Sequence, residues 1–242
     1  MDMKIKHTAG ILFTTIFFVL LYSCEEMETA KPYIPLSNHE EYDLYDYYID
    51  EYDNEGIVVL VQEFKNRPSY IIVMSLDESY EYWGPLGTIV NKNNEINDYL
   101  LLGVIMHQGM SYIGIDSFPA QDWCHKKNKN EKYPWAGSWR LPTDYELGRA
   151  ITVPFYGNLI QLNESIERYG GVPIDKTKPY WTCTEDYDRT QETAGESVTI
   201  YDPANRALVV AADYTLYNDK KEWLKSKKHY VRAIKYVYYK QD

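Results

Sequence analysis

The sequence predicts an α+β domain, and three observations carry that prediction. Continuous β-branched runs open the apolar part of the chain, capping signals for helices fill its middle, and aromatic strand-like runs close it between Tyr180 and Tyr239. Strands first, helices next and strands last bring the two ends of a domain together. The expected architecture is mixed antiparallel sheets with about two main helices and long loops.

Composition narrows what such a domain can be. The chain has 242 residues, 45% hydrophobic, with 25 Lys+Arg against 36 Asp+Glu and a formal net charge of −11. That apolar content excludes wholesale disorder and a collagen-like fibre. The acidic balance argues against a nucleic-acid partner, because phosphate neutralisation needs a basic excess. Three cysteines are too few for a disulfide-built miniature scaffold.

The elements follow in chain order. Lys4 and Lys6 precede an apolar run from Ala9 to Leu21, which is shorter than the roughly 20 residues a membrane span needs and reads as a secretory signal, residues 1–23. Leu21-Tyr22-Ser23-Cys24 resembles a bacterial lipobox, which makes Cys24 the expected acylated N-terminus. The alternative is a conventional signal with an incidental cysteine. Acyl chains anchor a protein at roughly 0.8 kcal/mol per buried CH₂, so the implied partner is a membrane. Residues 24–54 read as an acidic, Tyr-rich tether, since residues 25–53 hold ten acids against Lys31 whereas 54–242 is nearly balanced. Glu25-Glu26 resembles the surface-export signal of Bacteroidetes lipoproteins; a charged spacer explains the same residues. The expectation is an outer-membrane lipoprotein exposed at the cell surface.

Within the domain, residues 55–242, Ile57–Val61 and Tyr70–Met74 are buried-strand runs joined by the turn signal Asn66-Arg67-Pro68. Tyr99–Met106 is apolar and of either type. Ser117 reads as a helix cap with Pro119 in the first turn, which places Ala120, Trp123 and Cys124 on one face. Thr143 and Glu146 match a capping box, with Asp144 favourable at the positive helix end. Asn158–Tyr169 reads as a further helix ended by Gly170-Gly171. Tyr180–Thr184, Ser197–Tyr201, Ala207–Ala211 and Tyr230–Tyr239 are expected strands, residues 202–205 a turn, and residues 214–229 a loop.

Five segments in this order, Asp122-Trp123-Cys124, Ser138–Leu147 (SWRLPTDYEL), Tyr180–Asp186 (YWTCTED), Asn205–Val210 and Tyr230–Tyr236, resemble the Lcl C-terminal-like family. They also resemble the related major paralogous domain of bacterial surface lipoproteins. Both families look C-type-lectin-like, and the resemblance covers about residues 55–238. It implies an irregular half that carries ligand-binding loops, as in adhesins and surface proteins with glycan-like ligands. It also implies a structural role for Trp139, Arg140, Leu141, Pro142, Thr143, Glu146 and Trp181. On the residues alone, Arg140 is expected to pair with a buried acid, Glu146 or Glu185. The chain departs from calcium-dependent lectins: neither a Glu-Pro-Asn or Gln-Pro-Asp triplet nor a Trp-Asn-Asp triplet occurs, and Tyr217-Asn218-Asp219 only echoes the latter.

Candidate chemistry is therefore that of binding. His39, His107, His125 and His229 show no zinc spacing, and no GxSxG elbow, P-loop or Rossmann fingerprint is present, so neither an enzyme nor a cofactor is expected. Cys124 and Cys183 admit two readings. One is a disulfide closing about 58 residues, stabilising by roughly 4 kcal/mol; the other is two buried thiols. Tyrosine, with 25 copies, gives rigid amphipathic contact area at low entropic cost. Tyr187, Asp188, Arg189, Tyr214, Tyr217, Asn218, Asp219 and Trp223 form the candidate ligand-binding set, for a glycan or a surface protein. Lys220, Lys221, Lys225, Lys227, Lys228 and His229 form a basic patch suited to a sulfated or carboxylated glycan, or else a solvated loop. Two other roles fit the same sequence: a structural component of a pilus tip or envelope assembly, and a diversified receptor of the retroelement type.

Overall fold

The computed structural model describes residues 36–37, 42–65, 69–90, 99–129, 137–152, 159–185, 203, 206–212 and 224–239. All fall within one unit of the chain, Ile34–Asp242. The strands are β1 (Leu36–Ser37), β2 (Tyr47–Ile49), β3 (Glu55–Gln62), β4 (Ser69–Ser75), β5 (Ser79–Tyr82), β6 (Tyr180–Glu185), β7 (Ala207–Val210), β8 (Lys228–Val231) and β9 (Ile234–Tyr239). The helices are α1 (Tyr99–Ile113), α2 (Pro119–His125), α3 (Asp144–Ile151) and α4 (Leu159–Arg168). A five-stranded sheet runs β1-β9-β4-β3-β2 and a four-stranded sheet β5-β8-β6-β7. The fold is α+β with largely antiparallel sheets, and the first and last strands of the domain meet as expected: β9 lies between β1 and β4.

The continuous apolar run of β3 is explained by burial on both faces. Ile57 and Val59 join a core with α3 and α4, through Leu147, Ile151, Leu162 and Ile166. Val58 points the other way, into a core with Met106, Met110, Phe118 and Cys124. The β3–β4 register shifts between Val58 and Leu60, a bulge within an otherwise regular hairpin.

Several expectations are corrected. The segment read as a tether contributes β1 and β2, and Asp50 is buried, so the sheet begins upstream of residue 55. Four helices, not about two, are present among the described residues, and the apolar run at Tyr99–Met106 belongs to one of them, Tyr99–Ile113. Helix α2 starts after Phe118 with no side-chain cap, while Ser117 belongs to a preceding 3₁₀ turn. Its buried face is Ala120, Gln121 and Cys124; Trp123 is only partly buried, with the Lys127 ammonium 4.5 Å from its ring centre. The final strand is two strands in different sheets, and Lys228 and His229 lie in β8 rather than in a loop.

The break at Arg232-Ala233 has a clear cause. Strands β4–β5 and β8–β9 are paired antiparallel and both pass from one sheet to the other, β4 with β9 and β5 with β8. Arg232 fills the bend. Its guanidinium donates to the carbonyls of Ser75 (2.9 Å), Leu76 (3.1 Å) and Val172 and to the Glu78 carboxylate (3.2 Å). A cation with four acceptors supplies donors to carbonyls at the strand bend, adding to the Val172 N–H that already reaches Leu76. Elsewhere the expectations hold: Thr143 and Glu146 form the reciprocal capping box of α3, and α4 gives way to Gly170 at φ 77°. The predicted turn at 66–68 and the strand at 197–201 lie outside the described residues, as does the turn at 202–205 apart from Pro203.

Candidate functional site

The segment from Trp139 to Thr143 is scaffold. Trp139 is fully buried, and its indole N–H donates to Asp50 (2.7 Å) while Asn128 bonds both its backbone groups. Arg140 exchanges both backbone bonds with Ile234, Leu141 N–H donates to Gln121, and the Pro142 carbonyl accepts from Cys183 N–H. The Arg140 guanidinium grips Glu146 through two bonds, 2.9 and 2.7 Å. Burial alone would disfavour the Arg140 cation, but the Glu146 charge outweighs it and raises the pKa. Glu146 thus serves Arg140 and the helix cap together, which settles the choice between Glu146 and Glu185. Trp181 is also buried, donating to the Glu81 carbonyl.

Cys124 and Cys183 are free thiols, both buried in the same apolar core. Desolvation pushes both pKa values up. The disulfide reading is replaced by that of two packed, unreactive thiols.

Of the loop set, Tyr187, Asp188, Arg189, Tyr214, Tyr217, Asn218, Asp219 and Trp223 lie outside the described residues, and so does Cys24. Residues that flank those segments in the sequence are described. Lys225 is buried, not part of a surface patch: its ammonium contacts Glu185 (2.6 Å) and the carbonyls of Thr88 and Pro203, 4.0 Å from the Trp83 ring centre. Glu185 also accepts from Val90 N–H. Lys220 and Lys221 fall outside the described residues.

A different surface gathers what remains of the patch. Strand β5 reads Ser-Tyr-Glu-Tyr, and its alternation puts Tyr80 and Tyr82 on one face, 51% and 46% exposed. In β8, Tyr230 stands opposite Tyr80 and Lys228 opposite Tyr82. The Tyr80 and Tyr230 ring centres are 5.0 Å apart. The Lys228 ammonium lies 5.0 Å from the Tyr82 ring centre and 6.0 Å from that of Tyr80. At the other end Lys178 stands 4.1 Å from the Tyr230 ring centre and pairs with Glu78. Tyr80, Pro179, Lys227, Lys228, His229 and Tyr230 enclose an open groove of about 360 Å³. The His229 ring alternates to the opposite, buried face of β8, the Glu81 face, and meets Trp181 edge-on with ring centres 4.5 Å apart. The sequence signal for this site is the alternation at 79–82, a run short enough to pass for loop.

His107 and His125 also meet, at 3.1 Å, although 18 residues separate them. Among the described residues no group of three or more His, Cys, Asp or Glu could hold a metal ion. No helix among them is long and apolar enough to cross a membrane. No family model matches the chain, and no curated protein and no solved structure matches it.

Proposed function

We propose that this protein is a lipid-anchored envelope protein, held at Cys24 and exposed at the cell surface. Its α+β domain is C-type-lectin-like in this reading, and it binds a glycan without catalysis, metal or cofactor. The observation that carries it is the strand-borne groove between Tyr80, Tyr230 and Lys228. Pyranose rings present an apolar C–H face that packs on an aromatic plane, with hydroxyls left to polar neighbours. Exposed tyrosines at fixed strand register supply such planes without an ordering cost at binding. The buried Trp139–Thr143 segment supports the family resemblance by its structural role.

The test is a glycan array probed with the full chain and with Tyr80→Ala and Tyr82→Ala. Binding of defined glycans that both substitutions weaken is the expected result. Absence of binding to every glycan overturns the reading and favours an assembly role; binding unaffected by either substitution removes the groove as the site.

A further inference from the structure

Strand β2 ends the order of the five-stranded sheet, and its pairing with β3 shows which backbone groups are left over. The Asp46 carbonyl accepts from Val58 N–H (2.9 Å) and Asp50 N–H donates to the Asn54 carbonyl (3.0 Å), in a register that sets Tyr48 opposite Gly56. Alternate residues of an antiparallel strand turn their backbone groups to opposite sides, so Asp46, Tyr48 and Asp50 serve β3. The N–H and C=O groups of Tyr47 and Ile49 point outward, where no strand among the described residues pairs with them. Such an edge is a template for a further strand. The side chains beside it suit one: Ile49 is exposed, and on the same face Tyr47 stacks on Tyr169, just past α4, with ring centres 4.5 Å apart.

Charge beside the edge selects the occupant. Asp43, Asp46, Glu51, Asp53 and Glu55 are exposed, and residues 43–55 hold no Lys, Arg or His. The cations around them are engaged. Lys235 pairs with the buried Asp50 (3.2 Å) and reaches Glu51 only at 4.0 Å, Lys129 donates to the Tyr52 carbonyl (2.6 Å), and Lys127 pairs with Asp77 (2.7 Å). Helix α4, whose Ser165 hydroxyl donates to the Tyr45 carbonyl, adds Glu164 and Glu167 against Arg168. The face therefore stays acidic. A second copy pairing through its own β2 would set acid against acid, which destabilises a strand pair. We infer that β2 takes up an extended basic segment of a partner protein by strand addition, lengthening the five-stranded sheet. Backbone bonds to Tyr47 and Ile49 hold the segment, Ile49 and the Tyr47–Tyr169 stack receive its apolar side chains, and its lysines or arginines meet the acids. This edge belongs to the other sheet from the tyrosine groove, so the inference goes beyond the glycan reading.

The experiment is a fluorescence-anisotropy titration of a labelled Lys-Val-Lys-Val-Lys-Val peptide with the full chain. Its companions are the Glu-Val counterpart and a fully N-methylated Lys-Val form, which keeps the charges and removes every backbone donor. Ile49→Pro is measured alongside, because proline is tolerated on an edge strand where the lost N–H faces outward. Glu51→Gln with Asp53→Asn removes two charges, and asparagine suits the left-handed backbone at Asp53 (φ 64°). The Lys-Val peptide is expected to bind, and both companions at least tenfold more weakly. Ile49→Pro should weaken binding about fivefold, the scale of one backbone hydrogen bond. The double variant should weaken it about fivefold and flatten its salt dependence. In the native chain, hydrogen exchange at the Tyr47 and Ile49 amides should slow when the peptide is bound, a readout that does not depend on any variant folding. A folded Ile49→Pro variant that binds unchanged, or exchange unaltered at both amides, overturns strand addition at this edge. Equal binding of the methylated form overturns it too, by reducing the contact to unspecific charge attraction, and equal binding of the Glu-Val peptide overturns the basic assignment. A dimer of the chain alone that protects the same amides overturns it in favour of a second copy. No binding of any peptide overturns it outright, and the acids then only guard the edge against aggregation.

Discussion

At Asp50 and His107 the same burial has opposite outcomes. Desolvation alone would raise the Asp50 pKa, yet bonds from Trp139 and Asn54 and the Lys235 charge hold it below the usual carboxylate range. His107 has no such compensation: burial, then the neighbouring His125 and Arg140, hold its pKa well below the ordinary histidine value. The folded state therefore keeps His107 neutral where the unfolded chain would protonate it. Stability from this group is complete above about pH 6.5 and is lost as pH falls below that value toward the folded pKa. The slope it contributes is at most about 1.4 kcal/mol per pH unit. Denaturant titrations from pH 7.5 to 5 should show this slope in the native chain, and His107→Gln should reduce it by that amount; an unchanged slope would refute the assignment. Trp139 and Arg140 could be read from sequence because their types and the following capping box announce buried structure. Asp50 could not: it is one of ten acids in its segment, and only the approach of Trp139 and Lys235 distinguishes it.

Among the elements, α1 and α3 show how one residue type carries opposite meanings. Gly103 lies in α1 against the Arg140 guanidinium, with which an added Cβ would collide, whereas a Cβ at Gly148 in α3 meets nothing within 4 Å. Alanine is the better helix former by about 1 kcal/mol, so Gly148→Ala should stabilise by that amount. Gly103→Ala should instead destabilise by about 3 kcal/mol, because it displaces a buried cation from Glu146, and breaking such a pair costs 3–5 kcal/mol. Guanidinium-chloride midpoints of the two variants would shift in opposite directions. Shifts of the same sign would mean that Arg140 moves aside without penalty. Helix α3 was legible because its capping box is local chemistry. Helix α1 was not, since Tyr99–Met106 is apolar all round and lacks the polar face that fixes a period. The Tyr80–Tyr82 strand was too short to declare itself, and its significance comes from β8, nearly 150 residues away.

Over the whole described unit, the two sheets share their apolar interior. Each apolar cluster draws on both: Val58, Ile71 and Val237 of the large sheet pack with Trp181, Val209 and Val231 of the small one, and Ile57, Ile72 and Tyr236 with Tyr180 and Val210. Sequence order foretold that the two ends of the domain would meet, but not that the last strand would change sheets, since a run from Tyr230 to Tyr239 has one apolar pattern throughout. The bend depends on Arg232, a residue whose acceptors come from residues 75–78 and 172. Arg232→Met keeps much of the aliphatic volume but leaves the Ser75, Leu76 and Val172 carbonyls and Glu78 short of a donor. Removing one partner of a buried charged cluster costs about 3–5 kcal/mol, so the variant should lose that much stability. Because the bend joins both sheets, the loss should appear as one transition. Tryptophan fluorescence, to which the buried Trp83, Trp139 and Trp181 contribute among six indoles, and far-ultraviolet dichroism should give the same lowered midpoint. If the sheets were independent, the two probes would separate, and the strand pair crossing at Arg232 would be a connection rather than the hinge on which the fold closes.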